Sequence, residues 1–199
     1  IRIEGRPFGL LATNPRHLGG AIDSDAADKA SRFMQLCDAF DIPIVSLCDT
    51  PGFMVGPEAE QTGLVRHVCR MFITAASLSI PWFTIVLRKG YGLGAQAMAG
   101  GGFHAQCFTI AWPTGEFGGM GLEGAVRLGY RKELDPEPDA AAREALFKKL
   151  VARYYEEGKA TSIASVLEID QAIDPVETRR WILRGLESCA PPAPRAGKK

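Results

Sequence analysis

The chain has 199 residues, of which 46% are hydrophobic and 23% are charged, and its 23 basic residues balance 23 acidic ones. Such values are typical of a globular protein with a sizeable buried core, and they exclude a disordered or collagen-like chain. The zero net charge argues against a nucleic-acid binder, which needs a basic surplus to contact phosphates. No apolar run approaches the roughly 20 residues that cross a bilayer. Five cysteines without CxxC or paired spacing indicate reduced core thiols in a cytoplasmic protein.

Apolar patterning predicts a chain in which short strands alternate with longer amphipathic helices. Strands are expected at 8–12, 42–48, 80–87, 107–111 and, briefly, 168–174; helices are expected at 23–40, 61–78, 94–99, 140–157 and 175–187. This alternation predicts right-handed crossovers and a mostly parallel sheet, which is an α/β fold. We expect one domain over 1–190 and a disordered, proline-rich and basic tail at 191–199.

The sequence predicts details of two of these helices. For the helix at 23–40, Asp23, Ser24 and Asp25 are the candidate caps of the N-terminus. The helix at 61–78 is expected to bury Leu64, Val65, Val68, Phe72 and Ala76.

Glycine-rich turns follow three of the predicted strands, where open α/β sheets bind their ligands. The first, Asp49-Thr-Pro-Gly-Phe53, also fits a plain tight turn with positive φ at Gly52. The second, 90–96, precedes a helix, so its backbone N–H groups could hold a phosphate or a developing oxyanion. The segment 92–97 fits the pattern G-x-G-x-x-A as well, so a dinucleotide site stays an alternative. The third turn is the loop at 111–121.

Other catalytic patterns are missing from the sequence. It has no nucleophile elbow, no cysteine in a known catalytic context and no histidine–carboxylate cluster with ligand spacing, so no metal site is predicted. His67 is more typical of a packing histidine than of a base, and His17 falls in a loop where a turn role is expected. An enzyme with this inventory would work by oxyanion stabilisation.

Several motifs occur in consistent order over residues 1–186. They are Ile3-Glu-Gly-Arg-Pro7, Asp41-Ile-Pro, Asp49-Thr-Pro-Gly-Phe53-x-x-Gly56, Arg88-Lys89-Gly-Tyr-Gly, Ala111-Trp-Pro-Thr-Gly-Glu116, Met120-Gly and Asp174-Pro-x-x-Thr-Arg-Arg180. Together these motifs resemble the C-terminal half of the carboxyltransferase β subunits of biotin-dependent acyl-CoA carboxylases. The resemblance implies a crotonase-like ββα superhelix and transfer of a carboxyl group from carboxybiotin to the α-carbon of an acyl-CoA thioester.

The resemblance also implies roles for individual residues. The backbone N–H groups of Leu93 and Gly94 correspond to the oxyanion hole on the biotin side, where relatives usually carry Gly-Ala. Gln96 stands where many relatives carry an acid, and it is expected to face the acyl pocket. The biotin pocket is expected to include Gly52, Phe53, Gly56, Tyr91 and Gly92.

Partners follow from the same resemblance. Biotin would be carried covalently by a biotin carboxyl carrier protein and charged by a biotin carboxylase. An N-terminal half outside this sequence would bind most of the CoA and form a homo-oligomer, so the chain alone is expected to be inactive. The substrate is expected to be a short acyl-CoA, such as acetyl- or propionyl-CoA. Two alternatives remain: a subunit of a biotin-linked acyl-CoA decarboxylase, and a non-catalytic half that docks the carrier protein.

Overall fold

The computed structural model describes residues 1–105 and 107–191, so the predicted tail lies outside the described residues except for Pro191. The strands are β1 Arg2–Ile3, β2 Arg6–Pro7, β3 Gly9–Ala12, β4 Ile44–Thr50, β5 Trp82–Tyr91, β6 Phe108–Ala111, β7 Glu116–Gly118 and β8 Gln171–Ala172. The α-helices are α1 Ser24–Ala39, α2 Pro57–Gln61, α3 Leu64–Ser77, α4 Gly92–Met98, α5 Leu122–Gly129, α6 Arg131–Leu134, α7 Ala140–Glu157, α8 Ala160–Ser165 and α9 Thr178–Ser188. Short 3-10 helices cover Leu18–Gly20 and Pro175–Glu177.

A parallel sheet forms the centre of the fold, as the alternation of strands and helices predicts. Its strand order is β3-β4-β5-β6-β8, and every pairing along this path is parallel. The long strand β5 changes neighbour along its length, because it pairs with β6 from Phe83 to Val86 and with β7 from Lys89 to Tyr91. All these strands therefore end at one edge of the sheet, and β5 reaches furthest along that edge.

Apolar clusters cover the two faces of this sheet. Alternate residues of β5 supply both clusters, since Trp82 belongs to the one under α1 and α3 and Phe83 to the one under α9. Of the three candidate caps of α1, the structure uses Asp23, whose carboxylate accepts a hydrogen bond from the N–H of Ala26 at 2.9 Å. No helix in the described residues is long and apolar enough to span a bilayer.

The predicted buried face of the second helix is partly wrong. Val65 is 60% exposed, and Ala76 is exposed too. The helix begins at Leu64, after Gly63 in a left-handed conformation, and the apolar residues that it buries are Leu64, Val68, Met71 and Ala75. These four residues are separated by intervals of 4, 3 and 4 residues, which place them on one face of the helix. Val65 and Ala76 lie beside that face and point outward.

Candidate functional site

The three glycine-rich turns come together at the N-terminus of α4. A Cβ added to Gly94 would lie 2.6 Å from the carbonyl carbon of Gly52, so the two backbones are in direct contact. A Cβ added to Gly92, which has φ 59, would lie 2.9 Å from the backbone oxygen of Gly119. Only glycine at these positions lets the turn after β4, the start of α4 and the loop after β7 approach so closely.

The first residues of α4 present backbone N–H groups without intrahelical partners. Leu93 and Gly94 are the second and third residues of this helix, and a helix leaves its first N–H groups unpaired. Tyr91 occupies the N-cap position, and its side chain does not cap the helix. Leu93 is 61% exposed while Gly94 is buried. The arrangement can stabilise negative charge, because N–H dipoles converge there at the positive end of the helix.

Hydrogen bonds fix the turn that faces α4. The N–H of Gly52 donates to the Thr50 hydroxyl oxygen, and that hydroxyl donates to the Gly52 carbonyl, both at 3.1 Å. On the far side, the N–H of Ile22 donates to the Gly52 carbonyl at 3.0 Å, and the N–H of Met54 donates to the Ile22 carbonyl at 2.9 Å. Gly52 has a φ of 123°, which confirms the positive φ predicted for this position. The turn therefore has little room to move away from the helix.

The remaining predicted pocket residues lie in different surroundings. Phe53 is half-buried, and its ring packs edge-on against Phe72 at 6.2 Å between centroids. Gly56 is exposed before α2, and a Cβ there would meet nothing within 4 Å. Gln96 is half-buried on α4, and its backbone carbonyl accepts a hydrogen bond from the N–H of Gly101 at 2.9 Å. The backbone of Gly52 thus meets that of Gly94, and Gly92 meets Gly119, whereas Gly56 stays apart from these contacts.

Tyr91 is held by Glu116, a motif residue to which the sequence assigned no role. Its ring is buried, and its hydroxyl donates a 2.7 Å hydrogen bond to the Glu116 carboxylate on β7. Burial, followed by the hydrogen bond that the hydroxyl donates to Glu116, raises the pKa of Tyr91 well above its usual range. Nearby, Tyr155 donates to Glu123 at 2.8 Å, which together with burial raises the pKa of Tyr155 to about 12. The first contact joins β7 to β5, the strand that leads into α4, and the second joins α7 to α5.

The raised pKa of Tyr91 predicts a loss of stability at alkaline pH. Below about pH 10 the tyrosine is protonated in both the folded and the unfolded chain, so its contribution is complete. Above that pH the unfolded chain loses this proton while the folded chain keeps it, so the free energy of unfolding falls by at most about 1.4 kcal/mol per pH unit. Urea unfolding from pH 9 to pH 11 should show a smaller fall for Tyr91→Phe than for the parent protein. Equal slopes would contradict this prediction.

Asp49 ties β4 to β5 beside the site, at a point where their register shifts. The shift falls between Cys48 and Thr50, and Asp49 is only 8% exposed there. Its carboxylate accepts hydrogen bonds from the Lys89 N–H at 3.1 Å and from Arg88 Nε and Nη2 at 3.3 and 3.0 Å. This carboxylate, mainly through its hydrogen bonds, raises the pKa of Arg88. Both strands therefore continue past their predicted ends, to Thr50 and Tyr91.

Replacing Asp49 should destabilise the protein mainly through the Lys89 N–H. The Asp49→Ala change removes its acceptor, and an unpaired, partly buried N–H costs about 1–3 kcal/mol of unfolding free energy. The Arg88 side chain is 53% exposed, so water can replace its ion pair at little cost. Urea unfolding should rank Asp49→Ala as more destabilising than both Asp49→Asn, which keeps an acceptor oxygen, and Arg88→Ala. A larger loss from Arg88→Ala would show that the ion pair dominates.

The histidines do not contribute to this site. His67 Nδ1 lies 2.8 Å from a carboxylate oxygen of Asp28 on α1, which agrees with its predicted packing role. The hydrogen bond from Arg70, then the one from His67, holds the pKa of Asp28 below its usual range. A groove of about 320 Å³ beside these residues contains none of the predicted site residues. His17 is exposed in its loop, 3.9 Å from Asp23. Within 1–105 and 107–191, no three histidine, cysteine, aspartate or glutamate residues could hold a metal ion.

Comparisons with known proteins agree on one family. Residues 1–190 match the carboxyl transferase domain. The chain is 36% identical to the methylmalonyl-CoA carboxyltransferase 12S subunit of Propionibacterium freudenreichii subsp. shermanii, covering 95% of this chain and 36% of that one. It is 39% identical to the biotin-dependent long chain acyl-coenzyme A carboxylase beta4 subunit of Mycobacterium tuberculosis, covering 93% of this chain and 35% of that one.

Solved structures give the same result. A single-chain, multi-domain long-chain acyl-CoA carboxylase is 57% identical with a TM-score of 0.83, over 92% of this chain and 18% of that one. The transcarboxylase 12S structure with methylmalonyl-CoA and methylmalonic acid bound is 34% identical with a TM-score of 0.84, over 98% of this chain and 38% of that one. The chain thus spans about 36% of the length of the curated relatives that it matches.

Proposed function

Since this chain belongs to the carboxyl transferase domain family, we propose that it is the biotin-side half of an acyl-CoA carboxyltransferase. The expected crotonase-like fold is confirmed by the likeness to carboxyltransferase structures. The observation that carries the proposed function is the contact between the turn at Gly52 and the start of α4, where the N–H groups of Leu93 and Gly94 are left without a side-chain cap. This contact gives the two donors a fixed position.

We assign the biotin ring to this contact, because backbone N–H donors suit a ureido oxygen that gains negative charge. Carboxybiotin would supply the carboxyl group for transfer, and its ureido oxygen would gain negative charge when that group leaves. The Leu93 and Gly94 N–H groups would donate hydrogen bonds to this oxygen, and one such donor is worth roughly 2.7–4 kcal/mol of barrier. The backbone of Gly52 and Gly92 would line the pocket, and the Tyr91–Glu116 hydrogen bond would hold the strand beneath it. The described residues offer no evident base at this contact, so bound biotin would have to supply the acceptor for the α-proton of the substrate.

The acyl-CoA would be bound largely outside this chain. Each of the three glycine-rich segments carries an exposed apolar side chain: Val55 is 82%, Leu93 is 61% and Met120 is 43% exposed. Exposed apolar residues on neighbouring turns around a site are typical of a surface that another domain covers. We assign that cover to the N-terminal half of a second copy, which makes the enzyme a homo-oligomer. Gln96 is assigned to the acyl pocket, and a biotin carboxyl carrier protein and a biotin carboxylase to the other partners.

We assign the enzyme to the cytoplasm and keep the short acyl-CoA that the sequence resemblance implies as its expected substrate. All five cysteines of the chain are free thiols, which suits a reducing compartment. The names of two relatives give methylmalonyl-CoA and long-chain acyl-CoA as their substrates. The length of the acyl chain therefore needs a direct test.

The full-length protein provides that test. Purified protein is given carboxybiotin on its carrier protein, together with acetyl-, propionyl- or palmitoyl-CoA, and the carboxylated product is measured by mass spectrometry. We expect transfer, with the highest kcat/KM on a short acyl-CoA. A preference for palmitoyl-CoA would change the substrate class. Binding of the carrier protein without transfer to any acyl-CoA would indicate the docking half, and release of CO2 with transfer only from malonyl-type thioesters to biotin would indicate the decarboxylase.

A further inference from the structure

Two cysteines that are far apart in the sequence lie next to each other in the fold. The Sγ atoms of Cys107 and Cys189 are 3.3 Å apart, although 82 positions separate the two residues. Cys107 directly precedes β6, and Cys189 is the residue that ends α9. Sequence spacing alone indicated unpaired core thiols, but only Cys37 and Cys48 are buried.

The surroundings hold this pair of thiols in place from both sides. Gly185 lets α9 approach the sheet closely, since a Cβ there would lie 2.7 Å from the Phe108 ring. The Phe108 and Trp181 rings also pack edge-on, 5.7 Å apart between centroids. On the helix side, the Cys189 thiol donates to the Gly185 carbonyl at 3.2 Å. The short distance between the sulfurs is therefore maintained by packed residues next to each of them.

Solvent reaches the two sulfurs to different extents. Cys107 is exposed and Cys189 is half-buried against the cluster under α9. Burial and then the contact with Cys107 raise the pKa of Cys189 to about 11, so Cys189 is a protonated thiol near neutral pH. An oxidant in solution would therefore react first at Cys107, and Cys189 would be in position to react second.

We propose that Cys107 and Cys189 are a site of oxidative modification, at which hydrogen peroxide produces an intramolecular disulfide. The Cys107 sulfur attacks a peroxide oxygen, the O–O bond breaks, and a sulfenic acid and one water form. The Cys189 sulfur then attacks the Cys107 sulfur, its proton joins the leaving hydroxide, and a second water is released. The two thiols together lose two electrons, and one hydrogen peroxide is reduced to two waters.

The position of the pair determines what its oxidation would do. Cys107 precedes β6, so the pair lies at the edge where the parallel strands begin. The glycine-rich turns lie at the opposite edge, where β4 and β5 end. The disulfide would link α9 covalently to the start of β6 and close a long loop, which stabilises the fold without entering the proposed biotin site.

Exposed Cys69 on α3 offers a matched control, because it is an exposed thiol with no sulfur neighbour in the described residues. The full-length protein is treated with hydrogen peroxide, its remaining thiols are alkylated, and it is digested with trypsin without reduction. Mass spectrometry should find peptide 90–127 joined to peptide 185–195 and lighter than their sum by two hydrogen atoms, while peptide 67–70 stays unlinked. Dithiothreitol should separate the joined peptides.

Thermal unfolding supplies a second measurement. Peroxide should raise the unfolding temperature of the protein by several degrees, and Cys107→Ser and Cys189→Ser should abolish that rise while Cys69→Ser keeps it. Carboxyl transfer should be the same before and after oxidation. The proposal is overturned if Cys107 is oxidised to sulfinic or sulfonic acid while Cys189 remains alkylatable. A disulfide that joins Cys107 or Cys189 to any other cysteine overturns it equally.

Discussion

Gly94→Val should lower kcat for carboxyl transfer at least about 100-fold and also destabilise the fold. The Cβ of the new side chain would lie 2.6 Å from the carbonyl carbon of Gly52, 2.8 Å from its Cα and 2.9 Å from the N of Phe53. All three are backbone atoms, so no side-chain rotation can make room. The turn cannot move back readily, because Thr50 and Ile22 hold it by hydrogen bonds. The helix must therefore shift, and the N–H groups of its first turn shift with it.

The measurement combines steady-state kinetics with urea unfolding of the full-length protein. Overpacking of this kind costs about 1–3 kcal/mol of unfolding free energy. Gly124→Val is the matched control: Gly124 is an exposed residue of α5, and a Cβ there would meet nothing within 4 Å. This control should keep full activity and nearly full stability, because the added side chain lies in solvent. Normal kcat in Gly94→Val would place the oxyanion donors elsewhere.

Local sequence signals were sufficient where an element is bounded by its own residues. Helix α7 runs from Ala140 to Glu157, as predicted, because the Asp139 side chain caps its start and Gly158 follows its end. The glycine turn before α4 was equally visible, because three glycines in five residues interrupt an apolar strand. The mostly parallel sheet also followed from the alternation of strand and helix patterns, although the order of the strands within it did not.

Features that depend on contacts between distant segments were missed. The charged residues Asp49 and Arg88 break the apolar pattern, yet their mutual hydrogen bonds extend β4 and β5 beyond the predicted ends. The contact of Gly94 with Gly52 and the hydrogen bond between Tyr91 and Glu116 likewise join separate elements. Sequence indicated that these segments share an edge of the sheet. It could not give their distances, because those depend on how the elements pack.

Leu93→Pro should test the oxyanion donors without disturbing this packing. The Leu93 side chain is 61% exposed, so replacing it removes few contacts. Proline lacks an N–H, but the first turn of a helix does not use that N–H internally and accepts the proline φ. The residue before it is Gly92, which adapts to a following proline more easily than other residues do. The unfolding free energy should therefore change by less than about 1 kcal/mol.

Catalysis should respond very differently from stability. Loss of one oxyanion donor typically lowers kcat by about 100- to 1,000-fold, and KM for the acyl-CoA should hardly change because the donors contact the biotin oxygen rather than that substrate. Leu93→Ala keeps the N–H and removes the same side chain, so it should retain most of kcat. Parallel losses in Leu93→Pro and Leu93→Ala would assign the effect to the side chain. A large loss in Leu93→Pro alone, at unchanged stability, is the result that a backbone donor requires.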